Sequence, residues 1–184
     1  MALPSADRGC EVVICRWADI PDKGRLTPQI DAIFFESSNT KDFADDGARS
    51  AFRERWLGRY LANEPQFAYV ALAGDGAPAG YLVGSLLEPV GFEAFADAAW
   101  EYPAHLHVNL APQFRNRGIG ARLIGVFATD ALFAGAPGMH IITSADSRNV
   151  GFYTRNGFAE VARASIDGRE LVFLGRKLGV AETA

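Results

Sequence analysis

The chain has 184 residues and 19.9 kDa, 49% hydrophobic and 22% charged, enough to bury the core of one ordinary domain and too apolar for a disordered segment. Lys+Arg 18 against Asp+Glu 22 gives a net charge of −4 and a pI near 5.4, which argues against a general nucleic-acid binder, whose footprint is a basic stripe. No run of about 18 apolar residues exists to span a membrane, and Met1 to Arg8 has neither the basic start nor the apolar core of a secretory signal.

In chain order, Glu11 to Trp17 is a short apolar run and an expected strand. Cys10, just before it, and Cys15 sit five apart on what reads as one strand, so they point to opposite faces and cannot easily pair; a reducing cytoplasm is the expected setting. Thr27-Pro28 reads as a helix N-cap with proline at the first helical position, leading into Gln29–Phe35. Residues 45–61 place Ala48, Phe52, Trp56 and Tyr60 at helical spacing behind Asp45-Asp46. Phe67–Ala73 and Ala79–Leu87 read as strands of a hairpin turning at Gly74–Pro78. Residues 88–104 hold Phe92, Phe95, Trp100 and Tyr102 without a strand period, a long connection that serves either as a functional loop or as a flap over the core. Ala104–Leu110 is a strand, Gly118–Phe133 a helix, Met139–Thr143 a strand, and Asn149–Asn156 a short helix ended by Gly157. Phe158–Ala162 and Glu170–Arg176 form a last hairpin around Asp167-Gly168. No repeat or linker divides the chain, so residues 1–184 are expected to form a single domain with its core at about 11–178.

Charge is unevenly spread. Residues 1–104 hold 9 basic and 16 acidic side chains, and residues 105–184 hold 9 basic and 6 acidic. The second part is the better place for an anionic ligand, and the first could favour a cationic one.

The stretch Arg115-Asn116-Arg117-Gly118-Ile119-Gly120-Ala121-Arg122 follows a strand and opens a helix. Glycines there remove Cβ atoms, so backbone N–H groups can face a phosphate or diphosphate at the positive helix end, with Arg115, Arg117 or Arg122 adding charge. From the glycines alone, a plain strand-to-helix turn that binds nothing explains the pattern equally well. A dinucleotide fingerprint wants a third glycine where Leu123 stands, and no Gly-Lys-Ser/Thr triplet exists for a P-loop.

Arg115-x-x-Gly118-x-Gly120 after Leu110-Ala111-Pro112 resembles the acetyl-CoA diphosphate loop of the GCN5-related N-acetyltransferases (GNAT), and Asn149-Val150-Gly151-Phe152-Tyr153 through Gly157-Phe158 resembles the second conserved block of that family. The two blocks stand in the family's order and cover residues 105–160. The resemblance implies an α/β (α+β) fold around a mixed central sheet, with element order β-α-α-β-β-β-α-β-α-β-β and two splayed parallel strands, His105–Leu110 and Met139–Thr143. It implies that the pantetheine arm of acetyl-CoA lies along the first strand like an added strand, on backbone at Val108 and Leu110. The amides of Arg117, Gly118, Ile119, Gly120 and Ala121 would hold the diphosphate, with Arg115 and Asn116 also among the cofactor-binding residues. Asn149 and Phe152 would contact the arm, and Tyr153 would stand near the thioester sulfur as general acid. No metal is expected. A homodimer is compatible with the family, and the expected partners are acetyl-CoA and an amine, with no nucleic acid and no membrane.

A base is needed to take the proton of the amine, and the family pattern has no fixed one to carry over. His107, with His105 on the same strand face, has the right intrinsic range, although strand histidines also serve simply as packed, hydrogen-bonded residues. Glu36, Glu88 and Glu101 are further candidates. Recognition of the acceptor is expected from residues 34–46 and 88–103, with Glu36, Trp100 and Tyr102 as contacts. The alternative to an N-acetyltransferase is a non-catalytic acyl-CoA sensor or partner-binding domain of the same fold.

Overall fold

The computed structural model describes residues 12–86 and 92–179; Cys10 and Glu88 lie outside them. β3 (Pro78–Ser85) is buried along its whole length, which places it inside a sheet covered on both faces. Its Leu82 belongs to the apolar cluster under one face, and Tyr81 and Val83 to the cluster under the other. The remaining strands are β1 (Val13–Arg16), β2 (Ala68–Leu72), β4 (Ala104–Leu110), β5 (Gly138–Ser144), β6 (Ala159–Ile166) and β7 (Arg169–Lys177). They form one seven-stranded sheet in the order β1-β2-β3-β4-β5-β7-β6. All neighbours are antiparallel except β4 and β5. The last hairpin turns through Asp167 (φ 51°) and Gly168 (φ 73°), the left-handed pair that a two-residue turn of this kind requires.

α1 (Lys23–Ser37) begins earlier than Thr27-Pro28 suggests. Its N-cap is Asp22, whose carboxylate accepts the Arg25 N–H at 3.1 Å, and Pro28 lies inside the helix. An interior proline costs about 3 kcal/mol. Burial of Leu26, Ile30, Ile33 and Phe34 on one stripe, at roughly 1.5–3 kcal/mol each, outweighs it. α2 (Asp46–Arg53) is capped by Asp45, whose carboxylate accepts the Ala48 N–H at 2.7 Å. It continues through a π-helical turn at Glu54–Gly58 into α3 (Arg59–Asn63). The segment after β3, read as an irregular connection, contains a 3₁₀ turn at Glu93–Phe95 and α4 (Ala96–Glu101), so the observed order gains one helix between β3 and β4. Phe95 and Ala99 bury against Phe173 of β7, the core-covering role rather than an open loop. α5 (Ile119–Phe133) packs Leu123, Ile124 and Phe127 on the opposite face, and α6 (Val150–Arg155) follows β5. No helix among the described residues is long and apolar enough to cross a membrane.

Candidate functional site

β4 and β5 each have seven residues, yet only Ala104↔Met139 and His105↔His140 are in register. Beyond them β4 stays with β3 as far as Leu110, and β5 stays with β7 as far as Ser144, so the two parallel strands part. The Ala111 N–H donates to Ala79 on the β3 side at 3.0 Å. Alternation along a strand therefore turns the N–H groups of Val108 and Leu110 into the gap. The gap opens into a cleft of about 1200 Å³ lined by Val108, Leu110, Gly118, Gly120, Ala121, Asn149, Phe152 and Tyr153.

The start of α5 forms one end of the cleft. Gly118 is its N-cap at φ 74° and supplies no side-chain cap, and a Cβ built there would meet nothing within 4 Å. The first intrahelical bond from this turn is Arg122 N–H to the Gly118 carbonyl at 3.1 Å, so the amides of Gly118 through Ala121 precede it and lack helical partners. That is a ready anion site. Gly120 serves a different purpose: a Cβ there would come within 2.9 Å of the Phe152 ring, so its absence lets α5 close against α6.

The arginines of the loop are otherwise engaged. Arg115 lines the cleft, but its guanidinium pairs with Glu36 at the end of α1 and donates to the Leu110 carbonyl at 3.1 Å. Arg117 lies over the Phe114 ring at 5.8 Å, and Arg122 donates to the Val12 carbonyl at 2.9 Å. Ile119 is buried in the core, so only its backbone can serve a ligand. The cleft draws positive charge instead from Lys41, Arg148 and Arg155, which the sequence reading did not single out. Arg148, Phe152 and Arg155 stand three or four residues apart, the helical spacing that could have found them.

Tyr153 is 6% exposed, packed between Phe152 and Phe158, and lines the cleft. Burial pushes its phenol above the ordinary value of 10, so it stays protonated across the neutral range. Asn149 accepts from the Thr143 hydroxyl at 3.1 Å, which fixes its amide at the mouth of the gap.

The other face of the sheet holds all three histidines of the chain. Tyr60 Oη lies 2.9 Å from His105 Nε2 and 3.2 Å from His107 Nε2, and accepts from Arg59 at 2.8 Å. Because a phenol has one proton, it donates to only one of these rings. The other ring must donate its own Nε2–H and so keeps Nδ1 as a lone pair. Burial, then the charges of Arg59 and His140, lower His107 to about 4. His107 is therefore neutral at pH 7, with the Trp56 ring edge-on at 5.4 Å. His140 stacks on Phe173, is hydrogen-bonded through Nδ1 to the Tyr102 carbonyl, and is likewise lowered to about 4 by burial.

The expected acceptor contacts do not come together. Glu36 reaches the cleft but is paired with Arg115. Trp100 is 86% exposed on α4, and Tyr102 packs on Phe173 under Lys177; neither lines the cleft. Glu101 pairs with Lys177 at 2.7 Å, near the closed end of the β4–β5 pair. The acidic excess of the first half is also largely engaged, with Asp31 on Arg53 and Asp45 capping α2.

The fold is that of several solved acetyltransferases. The crystal structure of SsHAT superposes with a TM-score of 0.71 at 22% identity, over 92% of this chain and 99% of that one. A chain of the NatC complex bound to Gag peptide and CoA gives 0.65 at 13% identity, over 92% and 99%. Chaetomium thermophilum Naa20 in complex with a bisubstrate analogue gives 0.57 at 18%, over 91% and 86%. A family profile described as an acetyltransferase (GNAT) domain matches residues 65–160, which contain the parted strands, the glycine loop and the α6 block. The chain therefore belongs to the GNAT family of acetyltransferases.

Proposed function

We propose that residues 1–184 form a single acetyltransferase domain that moves an acetyl group from acetyl-CoA to a primary amine. The observation that carries this reading is the parting of β4 from β5 after two pairs, which opens a cleft ending at the uncapped start of α5. The bare backbone at Gly118 and the unpaired amides behind it suit a diphosphate, and the N–H groups of Val108 and Leu110 offer an extended arm a strand edge. Acetyl-CoA, when bound, supplies the activated acyl group.

The residues of the chain would then act in order. Backbone N–H at the Leu110 end of β4 would stabilise negative charge developing on the thioester oxygen. As the new C–N bond forms and the C–S bond breaks, Tyr153 would give its phenolic proton to the departing sulfur. His107 would take the proton that the amine nitrogen loses and pass it to solvent, from which the Tyr153 phenolate would recover a proton, so that the cycle ends with the amide, the CoA thiol and an unchanged enzyme.

Thermal unfolding with acetyl-CoA, CoA and NAD tests the site. At ligand near 100 times the dissociation constant, linkage stabilises by about 2.7 kcal/mol, a rise on the order of 5–11 °C for a domain of this size. Both CoA species should raise the midpoint and NAD should not. No rise with either at millimolar concentration would sink the reading.

A further inference from the structure

The continuous helix of residues 46–63 carries Arg49, Arg53, Arg55 and Arg59. Arg53 is paired with Asp31 at 2.8 Å, and Arg49 lies on the Phe35 ring at 3.6 Å. Arg59 is different. It is half-buried where Arg49 is exposed, it lies over the Tyr60 ring at 4.7 Å with its one side-chain hydrogen bond to Tyr60 Oη, and it meets no carboxylate among the described residues. The carboxylates nearest in sequence are turned elsewhere: Glu54 folds over Gly58 beside Arg53, and Glu64 accepts the Leu86 N–H at 3.3 Å. Arg55 meets no carboxylate among the described residues either and lies over the Trp56 ring at 4.9 Å. A π-helical turn at Glu54–Gly58 brings Trp56 and Tyr60 together onto His107, and such turns concentrate at functional sites. Arg55 and Arg59 each stand one residue before these aromatic anchors, so two cations that meet no carboxylate among the described residues border His107, the group proposed above to take the amine proton.

Taking a guanidinium partly out of water is costly unless an anion meets it, and its planar fork matches a carboxylate. We propose that Arg59, with Arg55 beside it, binds a carboxylate of the acceptor, so that the substrate is an amine bearing a carboxylate close to the reactive nitrogen. The inference rests on the transferase reading above and names its substrate class. The same chemistry is offered by a free amino acid and by a peptide with an acidic first residue. It adds an anionic group to the cationic ligand that the acidic first half of the chain could favour.

The test measures thiol release from acetyl-CoA with free amino acids, their carboxamides, and tetrapeptides beginning with Asp or with Asn. The carboxylate member of at least one matched pair should exceed its amide in kcat/KM by roughly 10–100-fold, as for a charge-assisted contact. Which pair shows the preference identifies the source of the carboxylate. Arg59→Gln should abolish the preference mainly through KM, Arg59→Lys should keep part of it, and the acetyl-CoA thermal shift should persist in both. Arg55→Gln, at an exposed position, should weaken the preference through KM and keeps the inference testable even if Arg59→Gln fails to fold. Equal rates for carboxylates and amides, or an equal loss for all acceptors in Arg59→Gln, would overturn this inference alone. Turnover of no amine despite bound acetyl-CoA would overturn it together with the transferase reading.

Discussion

Replacing Tyr153 by phenylalanine separates chemistry from packing at one atom. The ring is 6% exposed and lies among Phe152 and Phe158, and no side chain among the described residues hydrogen-bonds its hydroxyl. Tyr153→Phe therefore keeps the buried ring and breaks no internal hydrogen bond, so stability should change by less than about 1 kcal/mol, within roughly 4 °C of midpoint. If the phenol protonates the leaving sulfur, its loss should cost 10²–10⁴-fold in kcat, about 2.7–5.5 kcal/mol of barrier. Because burial lifts this phenol above its ordinary value, the wild-type rate should show no falling limb from its deprotonation between pH 6 and 9. The assay is steady-state thiol release at saturating acetyl-CoA, beside a thermal melt of the same preparation. A kcat within threefold of wild type, with an unchanged melt, would refute the acid role and leave Tyr153 as a packed core residue.

Gly120→Val should force the Phe152 ring aside, since a Cβ there already falls within 2.9 Å of it; overpacking of about 1–3 kcal/mol should lower the melting midpoint and shrink the acetyl-CoA shift, both read by calorimetry. His140, 1% exposed and lowered to about 4 from 6.5, binds fewer protons folded than unfolded between those values. Its contribution, on the order of 3 kcal/mol, should be complete above pH 6.5 and lost as the pH falls toward 4, with His107 adding in the same direction. Urea titrations at pH 7.5, 6 and 5 check the slope, and His140→Asn should flatten it. His107→Ala should lower kcat by about 10²-fold or more while leaving the acetyl-CoA thermal shift intact; loss of the shift instead would move His107 from proton transfer to structure.

Local chain chemistry alone accounts for much of this protein. Turn pairs such as Asp167-Gly168, the helical spacing of residues 45–61 and the glycine loop before α5 act through neighbours a few residues apart, so they are legible in the linear order. The two motif blocks identify the family for the same reason, because a backbone cradle and a short helix are each local constructions. Pro28 shows where local preference yields: the buried stripe of α1 overrides a proline signal because the energy of tertiary burial exceeds the lost backbone bond.

The parting of β4 from β5 is a matter of tertiary structure, because it depends on β3 and β7 each holding its own neighbour over residues distant in the chain. So is the fate of every charge. Whether Arg115 faces a phosphate or Glu36, and whether Asp31 stays in solvent or meets Arg53, is decided by pairings across 79 and 22 residues of sequence. The cluster of Tyr60 with the three histidines follows the same rule. His105 and His107 share a strand face by alternation, but Tyr60 reaches them from a helix 45 residues away, and His140 joins them only through the register of a parallel pair. Contacts of that kind have no periodic signature, since their spacing is set by how the sheet is ordered rather than by the repeat of any one element.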